Sequence, residues 1–346
     1  MGEPRVIALD AMGGDHGPPV IVAGAALSLE RHPGQSFMLF GDGDRIEAEL
    51  AKHQALRDVA TIVHTDVAIA MDAKPSQAVR QGRQSSLWLS LQAVRDGDAH
   101  VAVSAGNTGA LMAMAKLCLR TMSGIERPAI AALWPTVEGE CIVLDVGANV
   151  GASARQLADF ALMGAAMARA VFHIEKPSVG LLNIGVEEIK GVEETKQAHA
   201  WLKGSDLPIT YRGFIEGDQI GHGVVDVVVT EGYTGNIALK TAEGTAKQVG
   251  AYVKSAMSRS WLSRLGAFIS QDAFRALREK MDPARVNGGT FLGLNGFAIK
   301  SHGGAGPMAF AAAIDLGYEM SQSGLLERLS MDLDAFHDRI DMPLTG

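Results

Sequence analysis

Short apolar runs rich in β-branched residues alternate along the chain with longer stretches whose apolar residues recur at helical spacing. Eight runs are predicted as strands because each ends at residues typical of turns: Arg5–Leu9, Phe37–Phe40, Ala60–Val63, Val101–Val103, Ile142–Leu144, Val179–Leu182, Val225–Val229 and Phe297–Ile299. The predicted helices include Thr108–Arg120, Ala154–Val171, Val192–Trp201 and Ile237–Met257. This alternation predicts an α/β fold with a doubly wound, mainly parallel sheet.

Composition narrows the class of protein. The 346 residues are 47% hydrophobic and 20% charged, and no Pro/Ser-rich or charge-rich linker divides them, so we predict a single α/β catalytic unit over 1–346. The net charge of -8 argues against a nucleic-acid partner, which needs a basic surface. Two cysteines, no signal sequence and no long apolar run lead us to expect a reduced, cytoplasmic protein.

Polar turns follow several predicted strands, where an open α/β sheet binds its ligands. The first contains Asp10, Gly13, Gly14 and Asp15. The glycines let the backbone approach a ligand, and the carboxylates can orient a base or bind a cation. An ordinary turn with a helix cap would use the same residue types, so both interpretations stay open.

The second turn precedes the apolar helix that begins near Thr108. Ser104, Gly106, Asn107 and Thr108 bring small donors and backbone amides to a helix N-terminus, an arrangement that suits an anion such as phosphate. Helix capping by the same side chains is the alternative. We favour the anion site because so many donors and glycines fall in one strand-to-helix turn.

Two later turns carry amide side chains. Asn149, after Asp145, can donate to a substrate carbonyl or phosphate oxygen, or can serve the fold alone. Thr234, Gly235 and Asn236 follow an apolar strand and precede a helix. Asn236 is therefore either a helix cap or an amide that polarises a substrate carbonyl.

The remaining candidates are charged or titratable. Asn183–Lys196 is densely charged, which is typical of a solvated face, but Lys190 lies before a glycine in a loop leaving a buried strand. Its ammonium group can therefore reach a crevice and stabilise an oxyanion or phosphate, and Glu187 is counted with the substrate-binding residues. His302 ends a strand and is either a general base or structural. No metal, nucleotide or nucleophile-elbow motif appears, so no cofactor and no metal are expected.

Six segments, in order and over nearly the whole chain, resemble the phosphate acyltransferase family of bacterial phospholipid synthesis: Asp10–Asp15, Ser104–Ala110, Asp145–Asn149, Asn183–Gly191, Thr230–Asn236 and Asn287–Gly304. The resemblance implies a fold like the isocitrate dehydrogenase and phosphotransacetylase group, and a homodimer. It implies transfer of a fatty acyl group from acyl-[acyl-carrier protein] to inorganic phosphate, with Lys190 and Asn236 catalytic. Gly304 and Ala305 stand where serines are common in the family, which weakens any hydroxyl role there.

Residues 251–283 show apolar residues at helical spacing among basic side chains that outnumber the acidic ones. We predict a protruding, basic amphipathic helical hairpin that meets an anionic membrane or the acidic carrier protein. A dimer or core contact is the alternative. The resemblance, to a family known for peripheral membrane association, favours the membrane and suggests a glycerol-3-phosphate acyltransferase as a further partner.

Three other functions fit parts of the sequence. A phosphotransacetylase-like enzyme that uses acyl coenzyme A would have similar turns. A decarboxylating dehydrogenase is disfavoured because a dinucleotide fingerprint and a set of acidic metal ligands do not stand out. A non-catalytic membrane scaffold would have no need of polar loops at the strand ends.

Overall fold

A computed structural model of the chain describes residues 4–274 and 288–340. The strands are β1 Arg5–Asp10, β2 Gln35–Gly41, β3 Ala60–His64, β4 Val101–Ser104, β5 Ala129–Pro135, β6 Glu140–Leu144, β7 Ser178–Leu182, β8 Thr210–Ile215, β9 Val227–Val229, β10 Gly289–Leu292 and β11 Phe297–Lys300. All eight predicted strands are present, with ends shifted by at most two residues. Sequence patterns missed β5, β8 and β10.

The helices are α1 Pro18–Arg31, α2 Gly43–Leu50, α3 Gln54–Arg57, α4 Pro75–Gln81, α5 Ser86–Asp96, α6 Thr108–Leu119, α7 Ala154–Val171, α8 Glu193–Lys203, α9 Gly232–Ser258, α10 Trp261–Ile269, α11 Pro307–Gln322 and α12 Leu325–Ile340. Local chemistry explains several ends. Ser153 and Gln156 form a capping box that starts α7, and Gly97 ends α5 with a left-handed backbone at φ 84°.

The strands form one eleven-stranded sheet in the order β3-β2-β1-β4-β11-β10-β5-β6-β9-β7-β8. The first five strands in this order, β3-β2-β1-β4-β11, are parallel to one another, and so are the last four, β6-β9-β7-β8. Between these groups, β10 is antiparallel to both β11 and β5, and β5 is antiparallel to β6. The mainly parallel α/β fold is therefore confirmed, and its two parallel groups run in opposite directions.

This reversal decides where the polar turns leave the sheet. The carboxyl ends of β1, β4 and β11 lie at one end of the sheet, called here the first end. Those of β6, β7 and β9 lie at the opposite, second end. Side chains alternate between the faces, so Ile7 and Leu9 of β1 pack into one core and Ala8 into the other.

Helices cover both faces of the sheet. One core joins the sheet to α1, α7, α11 and α12, and the other joins it to α4, α5 and α6. The long helix α9 buries only Gly232 and Gly235, and α10 buries none of its residues. Of the predicted hairpin, residues 275–283 lie outside the described residues. Within the described ranges, no helix is both long and apolar enough to cross a bilayer.

Candidate active site

A buried carboxylate anchors the turns at the first end of the sheet. Asp10 accepts hydrogen bonds from the hydroxyls of Ser86 and Ser104, each at 2.6 Å. Burial raises the pKa of Asp10, and the two hydroxyls and nearby backbone amides oppose that rise. Ser104 Oγ also accepts from the Gly106 amide at 3.0 Å. Asp10 and Ser104, both candidate site residues, therefore lie beneath the turns and support them.

Close backbone approach locks three turns together. A Cβ atom on Gly13 would lie 2.7 Å from Asp10 Oδ2 and 2.8 Å from the Gly106 nitrogen. Gly14 has φ +82°, a conformation that favours glycine, and its missing Cβ would lie 2.9 Å from the Gly303 carbonyl oxygen. The Asp15 amide donates to that same oxygen at 2.9 Å. The two glycines thus act through backbone packing.

These turns surround a cavity of about 450 Å³. Four glycines line it together with polar, charged and apolar side chains: Gly106, Gly109, Gly303 and Gly304, with Asp15, Met71, Asn107, Thr108, Lys300 and His302. The amides at the start of α6 have no partner within the helix, so this rim favours an anion. The predicted anion-binding turn and His302 are therefore brought to one cavity.

Two predicted residues of this rim have different surroundings. Asn107 caps α6 by accepting from the Ala110 amide at 2.9 Å, and its own amide nitrogen donates to the Met71 and Ala73 carbonyl oxygens. Both hydrogens of that nitrogen are therefore used within the fold. Thr108, the next residue, is exposed at the cavity rim.

Lys300 was missed by sequence reasoning. It ends β11, lines the cavity, and donates through Nζ to the carbonyl oxygens of Ala105, at 3.4 Å, and Ser301. Burial lowers the pKa of Lys300 to about 8, and the charges of Asp10 and Asp15 oppose this shift. A lysine at the carboxyl end of an otherwise apolar strand was the signal that could have identified it.

At the second end, Asp145 organises the turn after β6. Its Oδ1 accepts from the amides of Ile130, Gly147 and Ala148, and its Oδ2 accepts from the Asn149 amide and from Asn149 Nδ2, both at 2.8 Å. Asn149 Nδ2 also donates to the Pro128 carbonyl oxygen at 2.9 Å. Asn149 was predicted to contact substrate, but the structure buries it and gives both hydrogens of its amide nitrogen protein partners.

Glu231 caps the long helix that follows β9. It accepts from the Tyr233 and Thr234 amides at 2.7 Å, from the Thr234 hydroxyl, and from the Gly151 amide at 3.2 Å. The helix begins at Gly232, so the capping interpretation of Asn236 is wrong, since Asn236 lies beyond the first turn. The predicted site residue Thr234 is exposed and bonded to the cap.

Asn236 lies beside the turn after β6. A Cβ atom on Gly147 would be 3.6 Å from the Asn236 side chain, which is half-buried. Gly235, another predicted site residue, is required by packing, because its Cβ would lie 1.9 Å from the Asp145 carbonyl oxygen. Asn236 thus presents its amide where two turns of the second end meet.

The loop after β7 brings Lys190 and Glu187 together. Lys190 Nζ lies 3.0 Å from Glu187 Oε1, and the lysine side chain is 43% exposed. The hydrogen bond from Lys190 lowers the pKa of Glu187. Asn183 Nδ2 donates to the Lys190 carbonyl oxygen at 3.1 Å, which ties the loop to itself. The predicted catalytic lysine is therefore accessible and already paired.

The candidate residues thus form two sets. The first set lines or supports the cavity after β1, β4 and β11, and the second set surrounds the turns after β6, β7 and β9. The sequence predicted one crevice because it placed all these turns at the carboxyl ends of parallel strands. The antiparallel pairings of β5 and β10, which sequence patterns did not reveal, send the two sets to opposite ends of the sheet.

The sequence is similar to known proteins over nearly its whole length. Residues 5–328 match the family described as fatty acid synthesis protein. A phosphate acyltransferase from Rhizobium rhizogenes is 60% identical, with 98% of each chain covered. Another from Xanthobacter autotrophicus is 61% identical, over 96% of this chain and 94% of that protein.

A solved structure shows the same fold. The phosphotransacetylase from Streptococcus pyogenes superposes with a TM-score of 0.64, covering 93% of this chain and 95% of that one at 18% identity. At that identity the likeness concerns the fold alone. The near full-length match to curated sequences goes further, and on it the chain belongs to the phosphate acyltransferase family and is an acyltransferase enzyme.

Proposed function

We propose that the enzyme transfers a fatty acyl group from acyl-[acyl-carrier protein] to inorganic phosphate and releases acyl phosphate for phospholipid synthesis. The observation that carries this proposal is the cavity at the first end. Its glycine-rich backbone, the amides of α6 and a lysine ammonium group suit a small, highly charged anion. Phosphate is such an anion, and it is ionised near neutral pH.

The reaction needs no nucleophile from the protein. A phosphate oxygen attacks the thioester carbonyl carbon, the carbon–sulfur bond breaks, and the carrier protein's thiolate leaves and takes a proton from solvent. Negative charge develops on the carbonyl oxygen, so preorganised donors there lower the barrier. We propose the Lys190 ammonium and the Asn236 amide as those donors. They lie at the opposite end of the sheet from the cavity, so the donors that meet a phosphate in this cavity would come from the partner subunit of a homodimer. His302, at the cavity rim, would orient the phosphate.

Thiol release tests this proposal. We expect phosphate-dependent release of free thiol from palmitoyl-[acyl-carrier protein], and Lys190→Ala and Asn236→Ala to slow it by about 10²-fold or more. Lys203→Ala is the matched control, because Lys203 is also an exposed lysine paired with a glutamate, at 2.6 Å from Glu188. Release only from acyl coenzyme A would instead support the phosphotransacetylase-like alternative, and no release from either thioester would support the scaffold.

We further propose that the enzyme is a homodimer. Support comes from α9, which leaves the apolar side chains of Ile237 and Tyr252 exposed within a single chain. Covering such a face would stabilise it by removing apolar area from water. Sedimentation of the purified chain should give twice the 36.5 kDa monomer mass. A 36.5 kDa species at micromolar concentration would contradict the dimer.

Peripheral attachment to the cytoplasmic membrane surface is the third part of the proposal. On α10, Trp261, Leu262, Leu265, Phe268 and Ile269 are all exposed. Arg259 and Arg264 lie beside them and favour an anionic bilayer. A glycerol-3-phosphate acyltransferase at that membrane would consume the acyl phosphate.

Vesicle binding tests the membrane proposal. The chain should sediment with vesicles that contain phosphatidylglycerol more strongly than with pure phosphatidylcholine vesicles. Phe268→Ser with Ile269→Ser should abolish binding while thiol release from soluble substrate persists. Unchanged binding by that double variant would reject α10 as the contact.

A further inference from the structure

The cavity at the first end has a cationic side chain whose place in the reaction is not yet explained. Lys300 reaches the cavity wall from the end of β11, between the turn after β4 and the turn after β11. Its Nζ donates to one carbonyl oxygen in each turn, those of Ala105 and Ser301. An ammonium group has three hydrogens, so these two bonds leave one for a ligand.

We propose that Lys300 is a catalytic residue that binds the attacking inorganic phosphate in this cavity. The inference rests on the proposed function, which supplies phosphate as a substrate, and it adds the charged group that holds it. The first set then binds the nucleophile, while Lys190 and Asn236 of the partner subunit act on the thioester carbonyl.

The surroundings of Lys300 favour a ligand over a purely structural role. Its hydrogen bonds go to carbonyl oxygens, which are dipoles and do not neutralise a buried charge. The charged groups that face it are Asp10, from β1, and Asp15, from the next loop, while His302 lines the same cavity. Asp10 is already engaged by two serine hydroxyls. An anion in the cavity would accept the remaining hydrogen of the ammonium group.

This arrangement links phosphate binding to a proton. Burial lowers the pKa of Lys300 to about 8, so near pH 8.5 a large fraction of the side chains is neutral. A bound phosphate favours the charged form and raises that pKa again. Phosphate binding near pH 8.5 should therefore take up a proton, which a merely structural lysine would not do.

Titration calorimetry of the full chain with inorganic phosphate tests the proposal. Measurements at pH 8.5 in two buffers of different ionisation enthalpy give the protons taken up. We expect Lys300→Met to weaken phosphate binding by about 10-fold or more, as for a lost charge-assisted hydrogen bond. Lys300→Arg should keep most of the affinity without proton uptake, because arginine stays charged. Lys116→Met is the control, since Lys116 also donates to a backbone carbonyl oxygen, that of Glu126, at 3.0 Å.

Each outcome bears on the proposal. Wild-type phosphate affinity in a folded Lys300→Met variant, or proton uptake that Lys300→Arg retains in full, would overturn it. The Lys300→Arg comparison decides even if Lys300→Met fails to fold. A raised KM for acyl-[acyl-carrier protein] with an unchanged KM for phosphate would also overturn it, because Lys300 would then bind the phosphodiester of the carrier arm. Lys300-dependent phosphate binding without any thiol release would reject the proposed reaction and leave this site standing.

Discussion

Asp145→Asn isolates the hydrogen bonds that fix the turn after β6. The substitution keeps the size of the side chain and replaces one of the two carboxylate oxygens by an amide nitrogen. Oδ1 accepts three backbone amides, so the remaining oxygen should stay there. The new amide nitrogen then faces the Asn149 amide and Asn149 Nδ2, both of which are donors at 2.8 Å from Oδ2. Asn149 cannot simply turn over, because its nitrogen also donates to Pro128.

Two buried donors thereby lose their acceptor. Each such loss costs about 1–3 kcal/mol, so we expect the free energy of unfolding to fall by about 4 kcal/mol. Urea unfolding followed by circular dichroism measures this change. Asp96→Asn is the control, because Asp96 is an exposed aspartate bonded to Arg95, and its replacement should leave the unfolding midpoint unchanged.

A double-mutant cycle sharpens the test. In an Asn149→Ala background the Nδ2 donor is absent, so Asp145→Asn should cost about 1–2 kcal/mol less than in the unaltered chain. An equal cost in both backgrounds would show that the donor conflict with Asn149 is not the cause. An Asp145→Asn variant as stable as the unaltered enzyme would refute the whole account of this turn.

Three further predictions concern the turns and the cavity. Gly13→Ala should destabilise the fold by about 1–3 kcal/mol and raise the KM for phosphate, because the added Cβ would press on Asp10 and Gly106. Gly217→Ala is the control, since a Cβ there meets no atom within 4 Å. Urea unfolding and phosphate kinetics should show both effects for Gly13→Ala and neither for Gly217→Ala. Glu231→Ala should cost about 1 kcal/mol by removing the cap of α9, and a drop in kcat with little change in unfolding midpoint would contradict a purely capping role. The pKa of Lys300 in the folded chain lies below its ordinary value of 10.5, so between about pH 8 and 10.5 the unfolded chain binds one more proton than the folded chain. The contribution of Lys300 to the free energy of unfolding should therefore rise with pH over this range. Urea midpoints of the unaltered chain and of Lys300→Met, compared across these pH values, measure it.

Sequence patterns located the parallel strands other than β8 because each of them is a compact apolar run followed by a turn, whereas β8 contains an arginine and a glycine. They missed β5 and β10 for two different reasons. Ala129–Pro135 contains three alanines, one β-branched residue, Ile130, and a terminal proline, so it has little β-branched character. Gly289–Leu292 is short and begins with glycine. The pairing of β5 with β10 joins segments far apart in the chain, and no local pattern encodes it, whereas β5–β6 and β10–β11 are hairpins of consecutive strands.

The same limit applied to the site. Turns with glycine and small polar residues were located correctly, because strand ends and helix starts impose them. Whether Asn149 or Asn107 contacts a ligand or the backbone could not be read from the sequence, since either role uses an amide side chain. Lys300 lies within the segment Asn287–Gly304 but was not singled out there, and the folding of two turns around its ammonium group is what places it at the cavity.

The cavity at the first end and the Lys190 loop at the second end also differ in how firmly the fold fixes them. At the first end, the Asp15 amide bonds to Gly303 and the Ser301 amide bonds to Ser104, so the cavity wall is assembled from turns that constrain one another. At the second end, Lys190 bonds to Glu187 and Asn183, both within its own exposed loop. Phosphate is small and always the same, so a rigid site suits it. A thioester delivered by a carrier protein is bulky, and a loop that can rearrange around Lys190 suits its entry. The proposal that the cavity binds phosphate and that the Lys190 loop receives the thioester therefore agrees with this difference in rigidity.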